Sequence, residues 1–359
     1  MTENFQFKIL KKSKKSKARA AELHTAHGVI KTPCFMPVGT AASVKALSPE
    51  MVRDAHSQIL LANTYHLSLR PGVELIKAHG GLHKFMNWDK PILTDSGGYQ
   101  VFSLSKQRKI TSEGVSFKSH IDGSTRFFSP KSVIDLQVGF NSDIMMVLDI
   151  CTAYDATKKK TLSDMMITHK WAKESVEYWR KLKTQQWLFA IVQGGFHKEL
   201  RQESADYLSQ LNFPGYAIGG LSVGEPMDEL HEYIAYTAPL IPEEKPKYVM
   251  GIGYPENLEV AIHNGIDMFD CVVPTRIARH GQFFLNKARI NIKRKEFEND
   301  LSPLDEQCSC YACAHYSKAY IRHLWNAKEL FAYTLLSIHN VQYLNTFVEG
   351  IRDKLLKEN

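Results

Sequence analysis

The chain has 359 residues, 44% of them hydrophobic, and a formal net charge of +7. That length and composition exclude a disordered or low-complexity polymer and allow one large domain or two ordinary ones. No apolar run reaches the roughly 18 residues of a membrane span and no apolar leader opens the chain, which predicts a cytoplasmic protein whose positive balance suits an acidic partner such as nucleic acid. From the N-terminus, residues 5–10 alternate as a strand does and pair with 18–30 in a predicted hairpin. The basic run from Lys11 to Lys17 between them reads as a solvated turn.

Eight short apolar runs then alternate with helical stretches: 34–38, 59–62, 91–94, 143–148, 187–192, 216–218, 248–252 and 266–273. Ser48-Pro49 and Ser129-Pro130 place an N-cap before a proline at the first helical position. Further helices are predicted over 161–183, 197–211, 227–240 and 255–264. Near-continuous apolar strands alternating with helices define an α/β protein with a parallel sheet, and eight units predict a (β/α)8 TIM barrel. Residues 110–129 alternate around Asp122-Gly123 and predict a hairpin inserted after the third strand. Beyond Gln282 the chain turns basic at Lys287, Arg289, Lys293, Arg294 and Lys295. It then enters a cysteine cluster and ends in two predicted helices, 315–336 and 340–357. The expected organisation is one domain: a hairpin over 1–30, a barrel core over 31–282, and a zinc-binding subdomain with C-terminal helices over 283–359.

Catalytic groups of a barrel come from the C-terminal ends of its strands. Here those ends carry Asp95-Ser96-Gly97-Gly98-Tyr99-Gln100, Asp149, Gln193-Gly194-Gly195, Gly219-Gly220-Leu221, Gly251-Ile252-Gly253 and Asp270. One such polar residue is an ordinary turn or cap; three carboxylates and a carboxamide on one rim are not. The glycines let a flat ligand approach the backbone, and Tyr99 offers a ring to stack on it. Asp149 and Gln193 present the acceptor and donor edges that a guanine requires. Asp267 and Asp270 share the last strand on opposite faces, so Asp270 reaches the site and Asp267 caps or pairs locally. After Asp270 come Arg276, Arg279 and His280, a basic loop beside a carboxylate.

Of six cysteines, three crowd into Cys308-Ser309-Cys310-Tyr311-Ala312-Cys313. That spacing is a metal site in a reducing compartment rather than a disulfide framework. A structural zinc wants a fourth N or S ligand. His339, His315 and His323 are the candidates.

With these residues assembled, the chain resembles the bacterial-type tRNA-guanine transglycosylases, the queuine tRNA-ribosyltransferase family, nearly end to end. The most specific motifs are Asp95-Ser-Gly-Gly-Tyr-Gln100, Gln193-Gly-Gly, Gly219-Gly-Leu-Ser-Val-Gly-Glu225, Phe269-Asp-Cys-Val-Val-Pro-Thr-Arg276 and Cys-x-Cys-x2-Cys with a distant His339. The resemblance implies a homodimer that exchanges guanine at the wobble position of tRNAs with GUN anticodons for a 7-deazaguanine base, either 7-aminomethyl-7-deazaguanine or queuine. It implies Asp270 as nucleophile and Asp95 as general acid/base. Asp149, Gln193, Gly220 and Leu221 match the base-reading groups and Tyr99 the stacking platform. Asn63, Ser96, Gly97, Gly98 and Met250 complete the substrate-binding set. Gly251, Ile252, Gly253, Tyr254, Pro255, Glu256, Asn257, Thr275, Arg276, Ile277, Ala278 and Arg279 match RNA-contacting segments. Cys308, Cys310, Cys313 and His339 match the ligands of one structural Zn2+. Retention of both Asp95 and Asp270 argues against a non-catalytic tRNA-binding partner subunit. One departure concerns the base: bacterial members usually read Asp-Glu-Cys-x-Pro-Tyr where this chain has Asp149-Ile150-Cys151-Thr152-Ala153-Tyr154. An apolar Ile150 in the wall of the site would tolerate the bulkier queuine.

Overall fold

The structure, a computed structural model, describes residues 6–104 and 107–358. Eight parallel strands form its centre: β1 (Cys34–Pro37), β2 (Leu60–Ala62), β3 (Ile92–Thr94), β4 (Ile144–Met146), β5 (Trp187–Val192), β6 (Gly215–Ile218), β7 (Lys247–Val249) and β8 (Met268–Cys271). Each pairs with its neighbour in sequence, β8 pairs with β1, and a parallel bridge from Val38 to Leu61 joins β1 to β2. The sheet therefore closes into the expected (β/α)8 barrel. Six of the eight predicted runs contain their strand, and β6 and β7 each begin one residue earlier, at Gly215 and Lys247. The strands read as apolar throughout because both faces are covered: every residue of β5 is buried.

The helices begin where the sequence places their caps. Ser48 Oγ accepts from Met51 N, and Ser129 forms a reciprocal capping box with Ser132. Two predicted hairpins gain a third strand. The N-terminal unit is Phe7–Lys12, Arg19–Thr25 and Gly28–Thr32 (Phe5 lies outside the described residues). The insertion after β3 is Arg108–Thr111, Gly114–Lys118 and Thr125–Phe128, with Asp122-Gly123 in its second turn.

The C-terminal segment differs more. The chain forms a short helix Tyr311–His315, another over Lys318–Asn326, and one unbroken helix Leu330–Leu356. The predicted break near residue 338 lies instead at Lys328, whose φ of 61° ends the preceding helix. The long helix packs on β1 and beside the helices Pro49–Asp54 and Pro255–His263. It thus stands in the barrel's outer layer, and the cysteine segment is inserted between β8 and this last helix. Buried inserts such as Asn345, which donates to Ala55 O at 2.6 Å, fix it there.

The N-terminal rim of the barrel is closed by ion pairs. Arg19 Nη2 meets Asp267 Oδ2 at 2.6 Å, with both side chains buried, and Asp267 also accepts from Lys247 N at 2.7 Å. Asp267 is therefore a structural anchor, as its parity required. No described helix is long and apolar enough to cross a membrane.

Candidate active site

The opposite rim opens into a cleft of about 350 Å³, within the usual size of ligand pockets. Every sequence-nominated strand end reaches it. Its lining includes Asn63, Asp95, Ser96, Gly97, Gly98, Tyr99, Asp149, Gln193, Gly220, Leu221, Met250 and Asp270. Tyr99, 53% exposed, stands at the mouth where a ring could cover a bound base.

Asp95 follows β3 directly and is buried. Its carboxylate accepts from Thr64 N at 2.9 Å, Gly97 N at 3.2 Å and Asn63 Nδ2. Burial nevertheless outweighs these donors, and with the nearby Asp270 charge it holds the carboxyl up at about 7. Such a group exchanges a proton near neutrality.

Asp149 lies beyond β4 and is tied to Ser96 Oγ at 3.1 Å and Gln193 Nε2 at 2.7 Å. Burial raises it to about 6. A side chain at residue 98 would strike the Asp149 carbonyl at 2.6 Å, so glycine is needed for this approach. The Gln193 backbone N donates to Ser204 Oγ at 3.2 Å, and Ser204 is held in turn by His169 at 3.0 Å. Gln193 Oε1 is buried without a partner, an acceptor left for something else.

Asp270, on β8, accepts from Tyr248 Oη and from Gly251 N at 3.0 Å. Burial raises its pKa against those two donors. Tyr248 is fully buried, and burial beside Asp270 keeps its hydroxyl protonated well above the usual range. Its contribution escaped sequence reading, although a signal existed: it lies two residues before Met250, on the same strand face.

The RNA-facing set divides by exposure. Ile252, Gly253, Pro255, Asn257, Thr275, Ile277 and Ala278 are buried. Arg276 and Arg279 are exposed, and Gly251, Tyr254 and Glu256 are partly so. Arg276 also lines the cleft. Lys287 is paired with Glu259 at 2.6 Å, which removes it from the free basic rim. Ile150 is a correction: its side chain is buried with Tyr65, Val101, Phe117, Phe128 and Trp171 beneath the inserted sheet and does not line the cleft. Neighbours on a strand end alternate, so Asp149 and Cys151 face inward while Ile150 faces out.

Cys308, Cys310, Cys313 and His339 bring one sulfur or nitrogen each within 4.8 Å of one another. His339 Nδ1 stands 3.3 Å from Cys313 Sγ and 3.8 Å from Cys310 Sγ, close to the roughly 3.6 Å edge of a tetrahedral zinc site. His339 Nε2 donates to Phe284 O at 2.8 Å, which leaves Nδ1 free as a ligand. His315 and His323 are not in the cluster. The four donors fit a metal ion. A second group, His27, His83 and Asp143, lies at the far rim. Its two imidazoles are stacked with centroids 3.5 Å apart and both face the Asp143 carboxylate. Imidazole lone pairs lie in the ring plane, and two nearly parallel planes 3.5 Å apart do not meet at one ion.

The barrel thus carries buried carboxylates in a glycine-lined cleft at one rim and a Cys3His cluster in its inserted segment. The family profile described as "Queuine tRNA-ribosyltransferase" matches residues 13–359. A queuine tRNA-ribosyltransferase of Dictyoglomus turgidum is 52% identical over 97% of this chain and 90% of its own length. Those of Caldanaerobacter subterraneus subsp. tengcongensis and Desulforapulum autotrophicum are 50% and 51% identical, over 98% and 97% of this chain and 94% of their own lengths. The chain belongs to the queuine tRNA-ribosyltransferase family.

Proposed function

We propose that this protein replaces guanine at the wobble position of tRNAs with GUN anticodons by a 7-deazaguanine base, through a covalent intermediate on Asp270. The observation that carries the reading is the placement of Asp95 and Asp270 in one cleft whose inner wall offers Asp149 and Gln193. An Asp270 oxygen attacks ribose C1′. The bond from C1′ to guanine N9 breaks, its electron pair leaves with guanine, and Asp95 supplies a proton. The incoming base returns a proton to Asp95, its ring nitrogen bonds C1′, and the Asp270 ester breaks. Two inversions retain the configuration, the logic of retaining glycosidases. Asp149 and Gln193 read the base edge, Tyr99 stacks on it, and a flipped nucleotide is the form that fits the cleft. Arg276 and Arg279 meet phosphate at the rim.

The Cys308, Cys310, Cys313 and His339 cluster is assigned to one Zn2+. Four protein donors leave no open position, so the ion's part is to hold the inserted segment to the last barrel helix. Assembly as a homodimer belongs to the same reading, and sedimentation tests it. For the chemistry, enzyme and tRNA are mixed without added free base and resolved on a denaturing gel. A shifted RNA–protein band is expected, absent in Asp270→Ala; a band that survives that substitution overturns the role of Asp270.

A further inference from the structure

Arg201 lies behind the cleft, not in it, and is completely buried. Its guanidinium faces main-chain carbonyls: Nε donates to Gly195 O at 2.8 Å, Nη1 to Gly219 O at 2.8 Å and Val192 O at 3.3 Å, and Nη2 to Gly220 O at 3.3 Å. Among the described residues no carboxylate forms an ion pair with it. A buried cation without a counter-ion is expensive, and carbonyl dipoles offset only part of that cost. Burial lowers its pKa to about 10, so it remains a cation at neutral pH.

The two adjacent carbonyls are the informative contacts. In a trans peptide the C=O and the following N–H point in opposite directions. Drawing Gly219 O and Gly220 O back onto Arg201 turns the N–H groups of Gly220 and Leu221 forward, toward the cleft that both residues line. Gly220 has a φ of 64°, the left-handed conformation that lets successive N–H groups share one side. Such a pair forms a concavity for an anion or a carbonyl oxygen.

We infer that Arg201 is a positioning residue that aims the Gly220 and Leu221 amides at the six-position oxygen of the base and biases that spot toward negative charge. The inference rests on the base-exchange reading. When the base departs with the electron pair of the broken bond, its ring carbonyl takes part of the charge, and two amides backed by a cation favour that distribution. The sequence carried a faint signal: Leu200, Arg201, Ser204, Ala205 and Leu208 form the buried stripe of the helix Lys198–Gln210, with one cation in it.

The test compares binding of guanine with that of 2-aminopurine, which lacks the six-position oxygen and the N1–H that faces Asp149, in wild type and in Arg201→Lys; the Asp149 contribution is common to both proteins and cancels when their preferences are compared. Lysine keeps the charge but cannot reach the spread of carbonyls. Wild type should favour guanine, and Arg201→Lys should shrink that preference about tenfold or more, with KM for guanine raised and kcat lowered. A folded Arg201→Lys with the wild-type preference overturns the inference and leaves the base-exchange reading standing. Wild type that binds neither base overturns the reading itself. Should Arg201→Lys fail to fold, amide resonances of Gly220 and Leu221 in wild type decide: shifts with guanine and none with 2-aminopurine are expected, and equal or absent shifts refute it.

Discussion

Tyr248 donates its hydroxyl proton to Asp270, joining β7 to β8 at the floor of the cleft. With Gly251 N it supplies two donors to a carboxylate whose burial would otherwise neutralise it. Tyr248 on β7 and Gly251 just beyond it thus favour the charged form of the proposed nucleophile, against the burial that raises its pKa.

Tyr248→Phe should remove one of those donors and raise the Asp270 pKa further. A hydrogen bond to a charged group contributes about 1.5–3 kcal/mol, so kcat/KM should fall about ten- to hundredfold. The acidic limb of the pH–rate profile should move to higher pH, since Asp270 must lose its proton to attack. A lower rate with an unmoved profile would assign Tyr248 to packing alone.

Asp149 gives a second pH dependence. An ionised carboxylate accepts from the N–H groups of a guanine edge, and burial raises this one to about 6. Guanine affinity should therefore climb as pH rises through about 6, roughly tenfold per unit below it, and level off above. Asp149→Asn should bind weakly at every pH and lose that slope. Calorimetric titration from pH 5 to 8 measures it, and a slope that persists in the variant would place the titrating group elsewhere.

The barrel was legible because burial on both faces makes each strand a continuous apolar run, and because functional side chains sit at strand ends. Asp95, Asp149, Gln193 and Asp270 could be picked from that position alone. Tyr248 and Arg201 left only faint signals, because their contributions depend on which atoms they reach: a hydroxyl on Asp270, a guanidinium on Gly219 and Gly220. Cysteine spacing indicated a metal but left three histidines open. The choice of His339 needs the long helix to pass the cluster, a tertiary relation. The missed third strands of the two small sheets pair locally across short turns that carry weak turn signals.

Cys310→Ala should abolish metal binding and destabilise the inserted segment together with the helix that bears His339. Elemental analysis should find about one zinc per wild-type chain and far less in the variant. Thermal unfolding should begin earlier in the variant. A metal-free protein that melts like wild type would remove the structural role.

Arg276 and Arg279 are exposed beside the cleft, whereas Lys287 is neutralised by Glu259. Arg276→Ala and Arg279→Ala should each reduce the slope of log K against log salt for tRNA by about 0.7–0.9, and Lys287→Ala should reduce it less. An unchanged slope in the Arg276→Ala, Arg279→Ala double variant would put the RNA on another face.

Ile150 stands where the family resemblance leads one to expect a glutamate, and its place in the fold changes what that departure means. Its side chain is 1% exposed among apolar groups, and its backbone N donates to Thr168 Oγ1 at 3.0 Å. Glu225, the other carboxylate near this wall, accepts from Ser222 N and from Val223 N at 2.8 Å and is committed to its own turn. Neither residue presents a free carboxylate to a protonated aminomethyl group. Ile150→Glu would put a carboxylate into an apolar cluster, where an unpaired charge is costly enough to be protonated or to open the packing. The variant should melt well below wild type. The ratio of kcat/KM for queuine to that for 7-aminomethyl-7-deazaguanine should change less than about threefold, a difference of about 0.65 kcal/mol. A variant that keeps the wild-type melting temperature and shifts the ratio toward the aminomethyl base would mean that a carboxylate at this position reaches the cleft after all.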